Sequence, residues 1–146
     1  MNLLIAPLWQ SMKRWVCIAL LGSVGVSGHA ADRIFTVAAD PWCPFNCVPN
    51  SSRPGYMVDL LGLILKPHGF NVVYNVLPWN RAVANDETGE IDGVLAAGED
   101  DATKLLSPKH PQAKRLAELI DEGIARLRKS GELKTVMGRY GLTDWQ

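Results

Sequence analysis

A single α/β domain, three layers deep around a mostly parallel sheet, is the fold class this sequence predicts, and three observations predict it. Short apolar, β-rich runs of strand length fall at 34–39, 70–77 and 91–97. Stretches with helical spacing separate them, and a helical return follows over 111–141. Removing the first thirty residues, which read as a leader, leaves 116 of the 146, enough for one modest domain. Strands that alternate with helices imply parallel pairing through right-handed crossovers.

The first strand, IFTVAA at 34–39, is short and apolar throughout, as expected for a strand buried on both faces. Residues 40–55 carry four prolines and two cysteines with Asn and Ser, which makes a loop, and one long enough to expect a function of it. From Tyr56 to His68 the apolar positions Met57, Leu60, Leu61, Ile64 and Leu65 mark a helix with a broad buried face, and Gly69 stops it. Residues 70–77 alternate and are rich in Val and Tyr, a second strand. Pro78-Trp79-Asn80 opens a short helix through about Asn85, Thr88-Gly89 turns the chain, and 91–97 form a third strand. Residues 103–108 have the composition of a further short strand. Pro111 then starts a helix whose stripe runs Ala113, Leu116, Ala117, Ile120, Ile124 and Leu127, ending at Lys129-Ser130-Gly131, and 133–140 form a last helical piece closed by Gly141.

At the amino end, Met12-Lys13-Arg14 is a basic start, 15–26 an apolar core too short for a membrane span, and Gly28-His29-Ala30 offers small residues for cleavage. A signal peptide over 1–30 and periplasmic export are the expectation. Cleavage falls after Ala30, with Ala31 as runner-up, and translation starts at Met1 or Met12. An N-terminal membrane anchor is the competing reading. The remaining chain keeps thirteen basic and fifteen acidic side chains, a charge of −2, which is no footprint for nucleic acid.

Ligands in parallel sheets sit beyond the carboxyl ends of the strands, so candidate chemistry falls on the loops at 40–55, 77–81 and 96–101. Cys43 and Cys47 are the only cysteines after the leader. An even pair in an exported chain reads as a disulfide that fixes the loop's shape, with a redox-active pair as the other reading. Trp42 and Phe45 flank Cys43 and suit either stacking on a ligand or packing on the domain. Tyr56 and Asp59 begin a helix whose amino end offers free amide donors, and Asp59 suits the helix dipole. Arg81 either grips a carboxylate or is a solvated helix charge. Ala96, Ala97 and Gly98 let backbone amides approach a ligand. Glu90 and Asp92 flank the start of the third strand, the end away from such a site, and read as solvated or capping residues. His68 and His110 have no supporting context for catalysis, and neither a metal site nor a cofactor loop is present in the pattern, so no enzyme activity is expected.

The blocks GYMVDLLGLILKPHGFNVVYNVLPWNRA, GEIDGVLAAG and AKRLAELIDEGIARLRKSGELKTVMGRYG together resemble bacterial extracellular solute-binding proteins of family 3, the polar amino-acid ABC transporter type with the periplasmic binding protein type II fold. In that family such blocks form lobe 1, and a second lobe of roughly a hundred residues is inserted between them. Here only a short stretch joins Gly98 to Gln112. The resemblance therefore implies lobe 1 alone over 31–146, with 31–106 its amino-terminal part, 107–146 its helical return and the second lobe absent. It implies non-covalent binding of a small polar solute, an amino acid or related compound, for an inner-membrane ABC permease. Trp42, Tyr56, Trp79, Arg81, Ala96, Ala97 and Gly98 would form the ligand-binding wall. Amino-acid-binding members follow the third strand with Thr and Arg, whereas this chain has Glu99-Asp100-Asp101-Ala102-Thr103-Lys104, and many members carry an acid where it has Met57. One wall leaves much of a ligand wet, so weak binding is expected. Two other classes stay open: an interaction module using the exposed cleft face, and a thiol-disulfide protein using Cys43 and Cys47.

Overall fold

The structure, a computed structural model, describes residues 33–95 and 106–144. The expected signal peptide, the candidates Ala96, Ala97 and Gly98, and the junction through residue 105 lie outside the described residues. Among those residues no helix is long and apolar enough to cross a membrane.

The chain runs β1 (Arg33–Ala39), α1 (Tyr56–Leu65), β2 (Phe70–Val76), α2 (Trp79–Thr88), β3 (Gly93–Val94), α3 (Ala113–Ser130) and α4 (Glu132–Gly138), with a 3-10 turn at Lys66–His68 closing α1. The sheet is all parallel in the order β2-β1-β3. Arg33 pairs with Phe70 through to Ala39 with Val76, and Val37 and Ala38 pair with Gly93 and Val94. The order reverses at β1: the chain moves to one side of it for β2 and to the other for β3. In open α/β sheets such a reversal marks the carboxyl ends of the strands as the place where ligands bind.

Two apolar clusters make the layers. Phe35, Val37 and Ala39 of β1 and Phe70 and Tyr74 of β2 pack under α1, α3 and α4, with Ile64, Leu65, Leu116, Leu127 and Leu133 as the fully buried centre. Each such Leu or Ile contributes roughly 1.5–3 kcal/mol by leaving water. On the other face Ala38 meets Ala82, Ile91 and Val94, backed by Leu77 and Trp79. The stripe of α3 joins the core of α1 through Leu116, Ile120, Ile124 and Leu127 as its spacing predicts, but the expected Ala117 is exposed and Leu119 and Gly123 are buried instead. The two helices approach so closely at Gly123 that a Cβ there would lie 2.5 Å from Ile64 Cγ2.

Several boundaries differ from the sequence reading. β1 is enclosed on both faces only from Val37 onward; Ile34 is 57% exposed, because α2 covers only the carboxyl half of its face. Helix α2 continues to Thr88, beyond the expected stop at Asn85, and ends where Gly89 turns left-handed at φ 82° and donates its N–H to Asn85 and Asp86. β3 starts at Gly93, two residues later than expected, since Asp92 occupies the ladder position before it with its side chain: Thr36 N–H donates to Asp92 Oδ2 at 2.7 Å; its expected end at 97 lies outside the described residues. Of the short strand expected over 103–108, Leu106 makes a single antiparallel bridge to Gly93.

Candidate functional site

The loop leaving β1 folds back on itself. Trp42 and Asn46 bridge antiparallel, with Trp42 N–H donating to Asn46 O at 2.7 Å and Asn46 N–H returning to Trp42 O at 3.0 Å, which brings the Cys43 and Cys47 sulfurs to disulfide distance. The Cys43–Pro44 peptide is cis. Asn46, 2% exposed, pins this knuckle to the sheet: its Nδ2 donates to Asp40 O and to Tyr74 Oη. Burial, opposed in part by that hydrogen bond, pushes the Tyr74 phenol above its ordinary pKa.

The knuckle sits directly on the start of α1. Tyr56 N–H donates to Pro44 O at 3.0 Å and Met57 N–H to Phe45 O at 3.1 Å. The expectation of free amide donors at that helix end is therefore corrected for these two residues: loop carbonyls satisfy them. Gly55 makes the approach possible, with φ 117° and no room for a Cβ, which would fall within 3 Å of the backbone of Phe45 and Asn46. The result is a row of three rings, Trp42 to Phe45 at 5.0 Å and Phe45 to Tyr56 at 5.6 Å between centroids. Trp42, 55% exposed, is its outer member. Phe45 and Tyr56 are half-buried, and burial raises the Tyr56 phenol pKa.

The other candidates lie apart from this row. Trp79 packs with Leu77 against the small cluster on the opposite face of the sheet. Arg81 is exposed on α2, and its guanidinium makes no hydrogen bond or ion pair among the described residues. No ring contact among the described residues joins Trp79 to Trp42 or Tyr56.

Asp59 faces the carboxyl-terminal tail rather than a ligand. Tyr140 Oη donates to Asp59 Oδ2 at 2.8 Å, Arg139 Nη2 lies 3.2 Å from the same oxygen, and Gly55 N–H donates to Tyr140 Oη at 3.3 Å. Burial, reinforced by the bond to the carboxylate, raises the Tyr140 phenol pKa. At the far end of the sheet Asp92 clamps three segments: it exchanges bonds with Thr36, accepts Ser107 N–H at its carbonyl, and lies 3.6 Å from His110 Nε2. His110 Nδ1 accepts Gln112 N–H at 3.0 Å, which leaves the proton on Nε2. The fully buried Ser107 donates its hydroxyl to Asp86 O, not to His110, so this Ser, His and Asp form a structural knot. Of the two expected roles of Asp92, solvated or capping, its bonds to Thr36 and Ser107 favour capping. The contacts of Tyr140, His110 and Ser107 are not legible in the sequence, because contacts between residues this far apart leave no periodic signal.

A shallow groove of about 200 Å³ opens at the amino end of β1 and β2, lined by Arg33, His68, Phe70, Gln112, Arg115 and Leu116 among others. Arg33 is already committed there, donating to Gln112 Oε1 and His68 O with its guanidinium 4.0 Å from the Phe70 ring centre. Comparison with known proteins adds nothing to the geometry: no family model matches the chain and no curated protein matches it.

Proposed function

We propose that this chain is a periplasmic solute-binding-protein-like domain, resembling lobe 1 of the type II fold, that captures a small polar solute for an ABC-type transporter with affinity reduced by the lack of a second lobe. The observation that carries this reading is the ring row Trp42–Phe45–Tyr56, held by a disulfide-braced knuckle at the carboxyl end of β1. It follows β1, the strand at which the order reverses, at the end of the sheet that open α/β folds use for ligands. A braced aromatic platform offers stacking area at little ordering cost. Arg81, exposed on α2 and apart from the row, is a separate candidate contact for a solute carboxylate. The bound solute would be an amino acid or a related small carboxylate, covered on one side only.

Calorimetry of the purified chain against a panel of amino acids and small carboxylates tests this. Saturable binding at roughly millimolar Kd, lost in Trp42→Ala with the fold intact, is the expected result. Unchanged binding in Trp42→Ala, or no binding to any member of the panel, refutes it. The exposed Trp42 and Val48 on one loop favour a second reading, an interaction module using this face. In that case a partner protein, not a solute, would compete with modification of Trp42.

A further inference from the structure

We infer that the outer edge of β2 is a self-association surface, on which β2 of a second copy pairs antiparallel about a two-fold axis at Val73. The two edges of the sheet are treated differently. β3 is closed by the antiparallel bridge from Leu106, whereas no strand pairs with the outer side of β2 among the described residues.

The backbone groups on that side can be assigned. Arg33 N–H donates to Gly69 O and Leu77 N–H to Ala39 O. Residues of that parity, Asn71, Val73 and Asn75, therefore aim their groups at β1, and Phe70, Val72, Tyr74 and Val76 aim theirs outward. Natural edges are guarded by charge, Pro or a bulge. The strand FNVVYNV has neither charge nor Pro, and it pairs in unbroken register along β1.

Its sequence is also close to a palindrome in side-chain class, and this selects a second copy as the occupant. Antiparallel pairing centred on Val73 sets Phe70 opposite the partner's Val76 and Val72 opposite the partner's Tyr74, apolar against apolar on the core side. On the other side it sets Asn71 opposite the partner's Asn75, amide against amide, and Val73 opposite the partner's Val73. Aromatic–aliphatic and matched polar cross-strand pairs are the favourable kinds. No like charges meet, because the strand holds none. The product is a six-stranded sheet with β2 of each copy at its centre. Seven residues of strand bury less than the roughly 1,200 Å² of a stable interface, so the dimer is weak and concentration-dependent.

Sedimentation equilibrium over micromolar to millimolar concentrations tests the inference, with two variants at exposed positions that leave the core alone: Asn71→Lys/Asn75→Lys and Asn71→Glu/Asn75→Glu. The parent chain is expected to associate. Each variant alone should dissociate at least about tenfold more readily, since like charges face each other across the axis. An equimolar mixture should recover association through opposite charges. A parent chain that stays monomeric at millimolar concentration overturns the inference, including the case in which it pairs instead with an added strand peptide. So does association that is indifferent to both variants, which would place the contact on another surface.

Discussion

Tyr140 Oη donates to Asp59 Oδ2 across 81 residues of sequence, at 2.8 Å, and so fastens the end of the chain to the first turn of α1. The same hydroxyl accepts from Gly55 N–H, the residue on which the aromatic knuckle rests. Loss of this bond should therefore be felt both in stability and at the candidate site. Tyr140→Phe is expected to cost about 1–2 kcal/mol in urea unfolding; Arg139, half exposed beside Asp59, should add little when removed.

The pH dependence has a definite sign. The folded-state pKa of Tyr140 lies above its ordinary value of 10.0, chiefly through burial, so the neutral phenol favours the fold. Its contribution is complete below about pH 10 and is lost as pH rises through the folded value. Stability measured from pH 8 to 11 should fall less steeply in Tyr140→Phe than in the parent. Equal slopes would show that Tyr140 does not titrate with unfolding.

Asp86 is expected to be a destabilising residue at neutral pH. It is 6% exposed in the last turn of α2, against the helix dipole, and its Oδ1 has no hydrogen-bond partner among the described residues. Burial, with the adjacent Glu87 charge, raises its pKa above the ordinary 3.8. Protonation therefore favours the fold, a contribution present below the unfolded pKa and lost as pH rises through the folded one. Asp86→Asn should gain about 1 kcal/mol at pH 7, and the gain should vanish as pH approaches 3. A loss of stability at pH 7 would contradict this.

Gly123 and Ile64 should be energetically coupled. Gly123→Ala brings a methyl group 2.5–2.7 Å from the Ile64 side chain, which is fully buried. Overpacking of about 1–3 kcal/mol should exceed the roughly 1 kcal/mol that Ala gains over Gly in a helix. In an Ile64→Ala background the same substitution should cost much less, and a double-mutant cycle by chemical denaturation reads the difference. Additive effects would place the helices further apart than the structure has them.

Cys43 and Cys47 enclose a very short loop, so replacing both with Ser should lower stability by about 2 kcal/mol or less. The larger effect is expected on Trp42, whose position depends on the knuckle, read as a red shift and greater quenching of its fluorescence. Mass spectrometry of exported protein should find the pair bonded; two unmodified thiols would contradict the pairing.

Much of the fold was legible in the sequence because its signals are local. The strands at 34–39 and 70–77, the stop at Gly69 and the stripe of α3 each follow from spacing or from a residue that tolerates positive φ, and Gly69, Gly89 and Gly131 do adopt it. The end of α2 was not legible, because Asn85-Asp86-Glu87-Thr88 has no apolar rhythm and only Gly89 marks the stop. The site was legible in part. A loop bearing Trp42 beside a cysteine pair follows from composition, but the sequence leaves Trp42 open between stacking and packing, and the inward turn of Trp79 depends on which face of the sheet α2 covers. The capping of α1 by Pro44 and Phe45 carbonyls involves backbone groups, which no residue pattern reveals.

The central claim, that a small polar solute is captured at the ring row, is tested most directly by mapping amide chemical shifts during titration with the best ligand of the panel. Saturable shifts centred on Trp42, Phe45 and Tyr56, absent in Trp42→Ala, are the expected result. Shifts centred instead on Arg33, Gln112 and Arg115, at the opposite end of the sheet, would contradict it.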